Sequence, residues 1–389
     1  MERRPFEEVS KRKAGCLDES PLITVCVRWA LSGEVLSMVS IWPDASVAEL
    51  LEALPMEHHE VKQLQLVFKG RRLASTESLC DLDGVEDSTS EDNAVFVVRR
   101  PPPRAILSSD RHSIFWEPEA NRRAKSFSVQ KIAHCVTFSE DATLALAGYS
   151  HGVTEVYSTE HGTCKKTFTA RCGSVLAVGI SRCGAFCVTG NENGTGRIWS
   201  MDSGVCLKSL CRHSGPVQST ALSPLTKAAV TGGCDELAKL WCVSTGACLQ
   251  TFRGHAGVVT CATFAGEERV VTASFDGRVK VWACSSGDCE MTLSGHSTPV
   301  LSLAVCSQSD LVMTGAFDGS CKVWALATGS CSLTLEGHGD AVRSVAISQD
   351  GHHSLSGDSR GCCKFWSLDT GRCKQTHFLR ERVLSVFWM

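Results

Sequence analysis

The chain has 389 residues, of which 39 are Lys or Arg and 42 are Asp or Glu, so the formal net charge is −3. A hydrophobic content of 43% with 21% charged residues is typical of a folded chain and excludes a disordered or fibrous one. The totals lack the basic excess of a nucleic-acid surface. The sequence also lacks an apolar run long enough for a membrane helix and an apolar signal segment near residue 1. We therefore expect an intracellular protein without membrane insertion, with the cytoplasm favoured and the nucleus left open.

The first hundred residues divide into a tail and a small module. Residues 1–20 are densely charged, which predicts a disordered tail. In residues 21–100, LITVCVRWA and VLSMVSIW form a predicted hairpin with a Ser-Gly turn. ASVAELLEAL has helical apolar spacing, with Asp44 or Ser46 as its cap. QLQLVFKGRRL and NAVFVVRR are two further predicted strands.

This order of strand, strand, helix, strand and strand, together with LVFKGRRL, resembles the ubiquitin-like β-grasp domain. The resemblance implies a partner-binding face that includes Val67 and Val97, although both could be ordinary edge or core residues. The last strand continues into Arg99 and Arg100 and not into a Gly-Gly tail, so we expect a built-in domain that is not conjugated to targets. Residues 101–103 are prolines and predict a short, stiff hinge.

The remaining residues, 104–389, contain a repeat. Four short apolar runs rich in Val and Thr alternate with turn residues, and each unit closes its third run on an aromatic residue. A period of about 42 residues with four strands predicts the blades of a β-propeller. The aromatic residues are 41 or 42 positions apart, at Trp116, Tyr157, Trp199, Trp241, Trp282, Trp324 and Trp366.

The segments RGHAGVV, SGHSTPV and EGHGDAV, each followed by one of these Trp residues, resemble the Gly-His to Trp-Asp unit of WD-repeat proteins. Six units are complete after residue 127. ILSSDRHSIFWEPEANRRAKSF at residues 106–127 supplies three more strands, and RVLSVFW at residues 382–388 supplies one. We therefore predict a mainly β fold: a seven-bladed WD-repeat propeller closed by the C-terminal strand and preceded by a small α+β ubiquitin-like domain.

The resemblance also implies a buried hydrogen-bond network in each blade, made by a His, a Ser or Thr, the turn Asp and the Trp. Because the pattern recurs in successive units, it indicates architecture and argues against a catalytic His–Asp–Ser triad. Arg360 replaces the Asp in the unit of Trp366, and Asn193 replaces it in the unit of Trp199. The expected sets are His255, Ser274, Asp276 and Trp282; His213, Asp235 and Trp241, with Gly233 in the Ser place; and His296, Asp318 and Trp324, with Ala316 there.

Six of the 22 cysteines follow the same period. One opens each predicted fourth strand, which puts them on different blades, too far apart for a disulfide or a metal site. We expect them to be small buried apolar residues, and we expect no metal and no cofactor. The adjoining pair Cys362 and Cys363 lacks a second pair at zinc spacing. The periodic cysteines are Cys164, Cys206, Cys248, Cys289, Cys331 and Cys373.

The sequence contains no phosphate-binding loop, zinc-protease motif or nucleophile elbow. We expect a non-enzyme that binds other proteins on the propeller face carrying Phe275 and Phe317, unless both rings pack into the core. By resemblance, Thr260, Leu301 and Arg343 lie nearby. A second hypothesis is a ubiquitin-pathway adaptor or substrate receptor with ubiquitin or proteasome components as partners, although no W-D-x-R motif is present. A third is an enzyme with its site in the central channel.

Overall fold

The computed structural model describes the chain as two compact units, residues Met1–Pro102 and Pro103–Met389. The described residues are 23–29, 35–41, 50, 64–68, 71–72, 95–99, 105–109, 112–117, 122–128, 131–170, 173–379 and 381–388. Among them, no helix is long and apolar enough to span a membrane.

The first unit contains one five-stranded sheet. Its strands are β1 (Ile23–Trp29), β2 (Val35–Ile41), β3 (Leu64–Phe68), β4 (Arg71–Arg72) and β5 (Val95–Arg99), and their order in the sheet is β2-β1-β5-β3-β4. Strands β1 and β5 are parallel, while the other neighbours are antiparallel. The predicted tail, the prolines 101–103 and all but one residue of the predicted helix lie outside the described residues. The ubiquitin-like assignment therefore stays a prediction.

The second unit consists of antiparallel four-stranded sheets. Short Val- and Thr-rich runs form the strands because their side chains pack well on a pleated surface, and Gly-containing turns separate them. A 3₁₀ turn at Ser150–Gly152 separates the second and third strands of blade 1. Six sheets are blades made of four consecutive strands. Their strands are, in blade 1, Cys135–Phe138, Leu144–Gly148, Val153–Ser158 and Cys164–Thr169; in blade 2, Val175–Ile180, Phe186–Asn191, Thr195–Ser200 and Cys206–Cys211; in blade 3, Val217–Leu222, Ala228–Gly233, Ala238–Cys242 and Cys248–Phe252; in blade 4, Val259–Ala265, Arg269–Ser274, Arg278–Ala283 and Cys289–Ser294; in blade 5, Val300–Cys306, Leu311–Ala316, Cys321–Ala325 and Cys331–Leu335; and in blade 6, Val342–Ile347, His353–Asp358, Cys362–Ser367 and Cys373–Phe378.

The prediction of seven blades is wrong. Among the described residues, six blades are formed by consecutive strands. The other four strands form a composite sheet, in which the last strand of the chain pairs with a strand some 280 positions earlier. This sheet is not another copy of the repeat. Buried Leu379 and Leu107 pack in one apolar cluster at the places where blade 4 has His255 and Thr272. The strands of the composite sheet are Ala105–Ser109, His112–Glu117, Arg122–Ser128 and Val383–Trp388.

The last strand contacts two blades. The Val386 amide donates to Ser344 Oγ in blade 6 at 3.0 Å, and the Phe387 ring lies 6.0 Å from the Phe138 ring of blade 1. The composite sheet therefore lies between the sixth blade and the first.

Neighbouring sheets pack closely because, in five of the six blades, a glycine near the end of the second strand faces a valine of the next sheet; blade 4 has Ala273 at this place. A Cβ on Gly190 would lie 2.6 Å from Val217 Cγ1, and a Cβ on Gly232 would lie 2.7 Å from Val259 Cγ1. Real side chains do not approach so closely, so the valine occupies the space that the glycine leaves. The same contact recurs at Gly148, Gly315 and Gly357.

The core runs between the blades. Trp241, Trp282, Trp324 and Trp366 are at most 2% exposed. Trp324 of blade 5 packs in one cluster with Val271 and other residues of blade 4. The repeated aromatic residue therefore joins its own blade to the preceding one, and the blade faces are committed to packing.

Candidate interaction face

In blade 4, the His–Asp–Trp network centres on a threonine. His255 Nδ1 lies 2.8 Å from Asp276 Oδ2, and its Nε2 lies 2.8 Å from Thr272 Oγ1. Trp282 Nε1–H donates to the same Thr272 oxygen at 2.8 Å. Backbone amides of Ala256 and of Arg278 complete the bonding of the Asp276 carboxylate.

Ser274, the hydroxyl residue predicted for this network, bonds the Asp276 backbone and not His255 or Trp282. The Ser274 hydroxyl donates to Gly257 O at 3.0 Å and accepts the Asp276 amide at 3.1 Å, so it shapes the turn. A hydroxyl residue ten positions before the Trp accepts the indole N–H in five blades, and in four of them it also bonds the His; this spacing is visible in the sequence. The five residues are Thr189, Thr231, Thr272, Thr314 and Ser356.

Blade 3 is therefore complete despite Gly233. His213 bonds Asp235 at 2.8 Å and Thr231 at 2.7 Å, and Thr231 accepts the Trp241 indole N–H at 2.9 Å. A Cβ on Gly233 would lie 2.5 Å from both His213 Nδ1 and Asp235 Oδ1. In the arrangement of blade 3 a larger side chain at this place would require the His–Asp pair to shift, whereas blade 4 accommodates Ser274 beside its pair.

Blade 5 departs from the prediction in another way. His296 Nε2 lies 2.7 Å from Thr314 Oγ1, which accepts the Trp324 indole N–H at 3.0 Å. The expected bond between His296 and Asp318 is replaced: the Asp318 carboxylate accepts the Ser320 hydroxyl at 2.6 Å, and His296 Nδ1 lies 3.5 Å from that hydroxyl. The small Ala316 beside this turn offers no hydroxyl to hold the Asp as Ser274 does in blade 4.

Blade 6 has its carboxylate two positions earlier than predicted. His338 bonds Asp358 through Nδ1 at 3.0 Å and Ser356 through Nε2 at 2.6 Å. Arg360, which occupies the expected Asp place, points outward and donates from Nε to Asp340 Oδ2. In blade 2, Asn193 Oδ1 accepts the Thr195 amide at 3.1 Å, as a turn Asp would.

The histidines of these networks are uncharged at neutral pH. Burial lowers the pKa of His213, His255 and His338 below the ordinary value, and the bonded Asp only partly offsets this. Each imidazole is therefore neutral near pH 7 and has both ring nitrogens occupied. The recurring residues therefore stabilise the blades by bonds within each blade.

Two phenylalanines, unlike the residues of these buried networks, are exposed to solvent. Phe275 is 51% exposed and Phe317 is 58% exposed, so neither ring packs into the core. Each lies in the turn after a second strand, in adjacent blades. The Phe275 amide donates to Val258 O at 3.0 Å, and the Phe317 amide donates to Pro299 O at 2.9 Å. The backbone of each turn is thus held while the ring faces solvent.

The first-strand residues predicted to lie nearby are bulge residues: Thr260, Leu301 and Arg343 have no Cα partner in the strand register. A bulge redirects its side chain. In blade 6, Arg343 Nε donates at 3.0 Å to the hydroxyl of Ser359, which occupies the place of the two phenylalanines. The bulge residue and this turn residue are therefore neighbours in a blade.

The three bulge residues are not equivalent. Arg343 is exposed, and Leu301 is half-buried. The Thr260 hydroxyl donates to Val300 O of the next blade at 2.7 Å, so this residue serves the contact between blades. We define the Phe face as Phe275, Phe317, Leu301 and Arg343. Val67 and Val97 lie on β3 and β5, and their side chains are outside the described part of the chain.

The six periodic cysteines are not buried, contrary to the prediction. Cys164, Cys289, Cys331 and Cys373 are exposed, while Cys206 and Cys248 are intermediate. Each begins the fourth strand, which is the outer edge of its blade and therefore meets solvent. Each thiol donates to the carbonyl two residues later, as Cys289 does to Met291 at 3.4 Å.

A family model described as WD domain, G-beta repeat matches five segments of the chain, residues 162–200, 204–242, 246–283, 287–325 and 329–367. Each segment contains the fourth strand of one blade and the first three strands of the next. The sequence repeat is thus offset from the blade, and each repeat links two blades. No curated protein matches the chain at a significant level.

Proposed function

Because the chain is a WD40-repeat protein whose repeats form a β-propeller, we propose that it is a non-catalytic scaffold that docks partner proteins on the Phe face. Propellers of this kind typically bind other proteins. The observation that carries the proposal is the pair of half-exposed phenylalanine rings on turns with anchored backbones. Adjacent exposed aromatic side chains are costly to leave in water, and such groups dominate binding at protein interfaces.

The neighbours of the two rings support the same function. Half-buried Leu301 is the bulge residue of the blade that carries Phe317, and exposed Arg343 is the bulge residue of blade 6. Aromatic anchors beside an arginine are the residue types enriched at binding hot spots. The rigid turns also lower the conformational entropy that binding would cost.

The test compares affinity capture from a cell lysate by the wild-type chain and by the double variant Phe275→Ser, Phe317→Ser. We expect the double variant to lose proteins that the wild type captures, with a loss of about 30-fold or more in affinity for a direct partner. The melting temperature should change little, since both rings are exposed.

Leu225→Ser is the matched control. Leu225 is 63% exposed and lies in a turn between first and second strands, at the opposite end of the blade. This variant removes a similar exposed apolar group and should retain the captured proteins. Unchanged capture by the double variant, or a large fall in its melting temperature, would contradict the proposal.

The ubiquitin-pathway adaptor is a second candidate, supported by the mixed sheet of the first unit, in which β1 and β5 are parallel. The same capture experiment tests it with the full-length variant Val67→Arg, Val97→Arg. Selective loss of ubiquitin or proteasome components, with the Phe-face partners retained, is the outcome that this candidate requires.

A further inference from the structure

Blade 6 contains a cluster of three different metal-ligating side chains. One donor atom each from His338, Asp358 and Cys362 lies within 4.8 Å of the other two. The His338 and Asp358 side chains are 0% and 2% exposed, and Cys362 is 8% exposed. Imidazole nitrogen, carboxylate oxygen and thiolate sulfur are all zinc ligands.

The surrounding groups orient two of the three ligands. His338 Nε2 lies 2.6 Å from Ser356 Oγ, and that oxygen also accepts the Trp366 indole N–H at 2.7 Å. Asp358 Oδ1 accepts the backbone amides of Arg360 and Cys362, each at 2.9 Å. The atoms facing one another are His338 Nδ1 and Asp358 Oδ2. Such outer bonds are the usual support of a metal site.

The cluster depends on two departures from the repeat. The carboxylate comes from Asp358 at the place that Ser274 occupies in blade 4, and the thiol comes from Cys362 at the place of Arg278. In blade 5 this second place is Ser320, whose hydroxyl lies 3.5 Å from His296 Nδ1. A side chain at this place therefore reaches the histidine, and in blade 6 that side chain is a thiol.

The distances suit a tetrahedral ion after a small movement. Zinc bond lengths imply separations of about 3.3 Å between nitrogen and oxygen ligands and about 3.6 Å between nitrogen and sulfur ligands. His338 Nδ1 and Asp358 Oδ2 are 3.0 Å apart, and the thiol lies within 4.8 Å of one donor atom of each of these two side chains. Opening the His–Asp bond by a few tenths of an ångström and rotating the thiol inward would bring all three into range.

We propose that His338, Asp358 and Cys362 form a binding site for Zn²⁺, with a fourth position open to water or to a ligand from a partner. On binding, the thiol loses its proton to solvent and the sulfur bonds the ion. The imidazole binds the ion through Nδ1 and carries its proton on Nε2. This N–H donates a hydrogen bond to Ser356 Oγ. One proton is therefore released for each zinc ion bound.

The test uses the reduced, metal-free full-length chain, with Co²⁺ as a spectroscopic probe and Zn²⁺ as its competitor. We expect one equivalent of Co²⁺ to produce the visible bands of tetrahedral cobalt with a thiolate charge-transfer band, and Zn²⁺ to abolish both. Cys362→Ser should lose the charge-transfer band and bind at least about tenfold more weakly. Serine occupies the equivalent place in blade 5, so this variant is expected to fold.

Cys373→Ser is the matched control, since Cys373 is an exposed thiol of the same blade. It should bind like the wild type, and Zn²⁺ should raise the melting temperature of both but not of Cys362→Ser. The proposal is overturned if the wild type shows no cobalt–thiolate band. It is also overturned if Cys362→Ser retains that band or if Cys373→Ser loses it, because the metal then binds surface thiols.

Discussion

The hydroxyl ten positions before each Trp is the residue on which a blade's polar network depends. Thr272 is fully buried and bonds both His255 and Trp282. Thr272→Val keeps the shape of the side chain but leaves two buried groups without a partner. We expect the free energy of unfolding to fall by about 2–4 kcal/mol, measured by urea denaturation.

Ser274→Ala is the comparison for this prediction. Ser274 makes two bonds within the turn and no bond to His255 or Trp282, so its loss should cost about 1 kcal/mol. An equal or larger cost for Ser274→Ala would show that the network does not centre on Thr272.

His296 differs from the other blade histidines because no carboxylate bonds its Nδ1. Burial and the nearby Lys322 lower its pKa from 6.5 to about 4, and Asp318 only partly opposes them. Between these two pH values the unfolded chain binds a proton that the folded chain does not. The stability contributed by neutral His296 is therefore complete above pH 6.5 and is lost as the pH falls toward 4.

We expect His296→Gln to weaken the pH dependence of stability by up to one proton in this window. The measurement is the free energy of unfolding in urea at a series of pH values from 7.5 to 5. The wild type should lose more stability than the variant, by a slope of at most about 1.4 kcal/mol per pH unit. Parallel curves for the two proteins would contradict the assignment.

At the scale of the element, side-chain hydrogen bonds that recur in several blades hold the fourth strand against the third. In blade 4, Lys280 Nζ donates to Thr292 Oγ1 at 3.0 Å, and the Cys289 thiol lies 3.6 Å from the same oxygen. The register skips Glu290 opposite Trp282, and the thiol spans this bulge. The periodic cysteines are therefore hydrogen-bonding residues of an edge strand.

Packing between neighbouring blades depends on the small residue near the end of the second strand. Gly232→Ala would place a methyl group 2.7 Å from Val259 Cγ1 and 3.3 Å from Val259 O. The blades must then move apart, so we expect a loss of about 1–3 kcal/mol in the free energy of unfolding. Gly339→Ala is the control, because a methyl group added at Gly339 would have no neighbouring atom within 4 Å. Equal stability of the two variants would show that the contact is not tight.

At the scale of the whole molecule, the offset between repeat and blade decides how the propeller is stabilised. Each matched segment supplies three strands to one blade and the outer strand to the preceding one. The valine at the start of a first strand then fills the space beside the glycine of the preceding blade. Stability therefore resides in contacts between neighbours, while the turns at the two ends are left for partners.

Much of this architecture could be predicted from local sequence. The 42-residue period, the aromatic residue at the end of each third strand and the turn residues between apolar runs determine the blades, because strand pairing within a blade is local. The exposure of Phe275 and Phe317 could not be predicted, since a turn aromatic can point either way.

The sequence by itself determined the WD40 repeat and the all-β character of residues 131–379, because period and turn chemistry are local properties. Only the tertiary structure decided that Thr272 and not Ser274 bonds the Trp, that Asp358 and not Arg360 faces His338, and that the six periodic cysteines meet solvent. These outcomes depend on strand register, on which strand lies at an edge, and on distances between residues about 20 positions apart. Spacing along the chain does not specify those quantities.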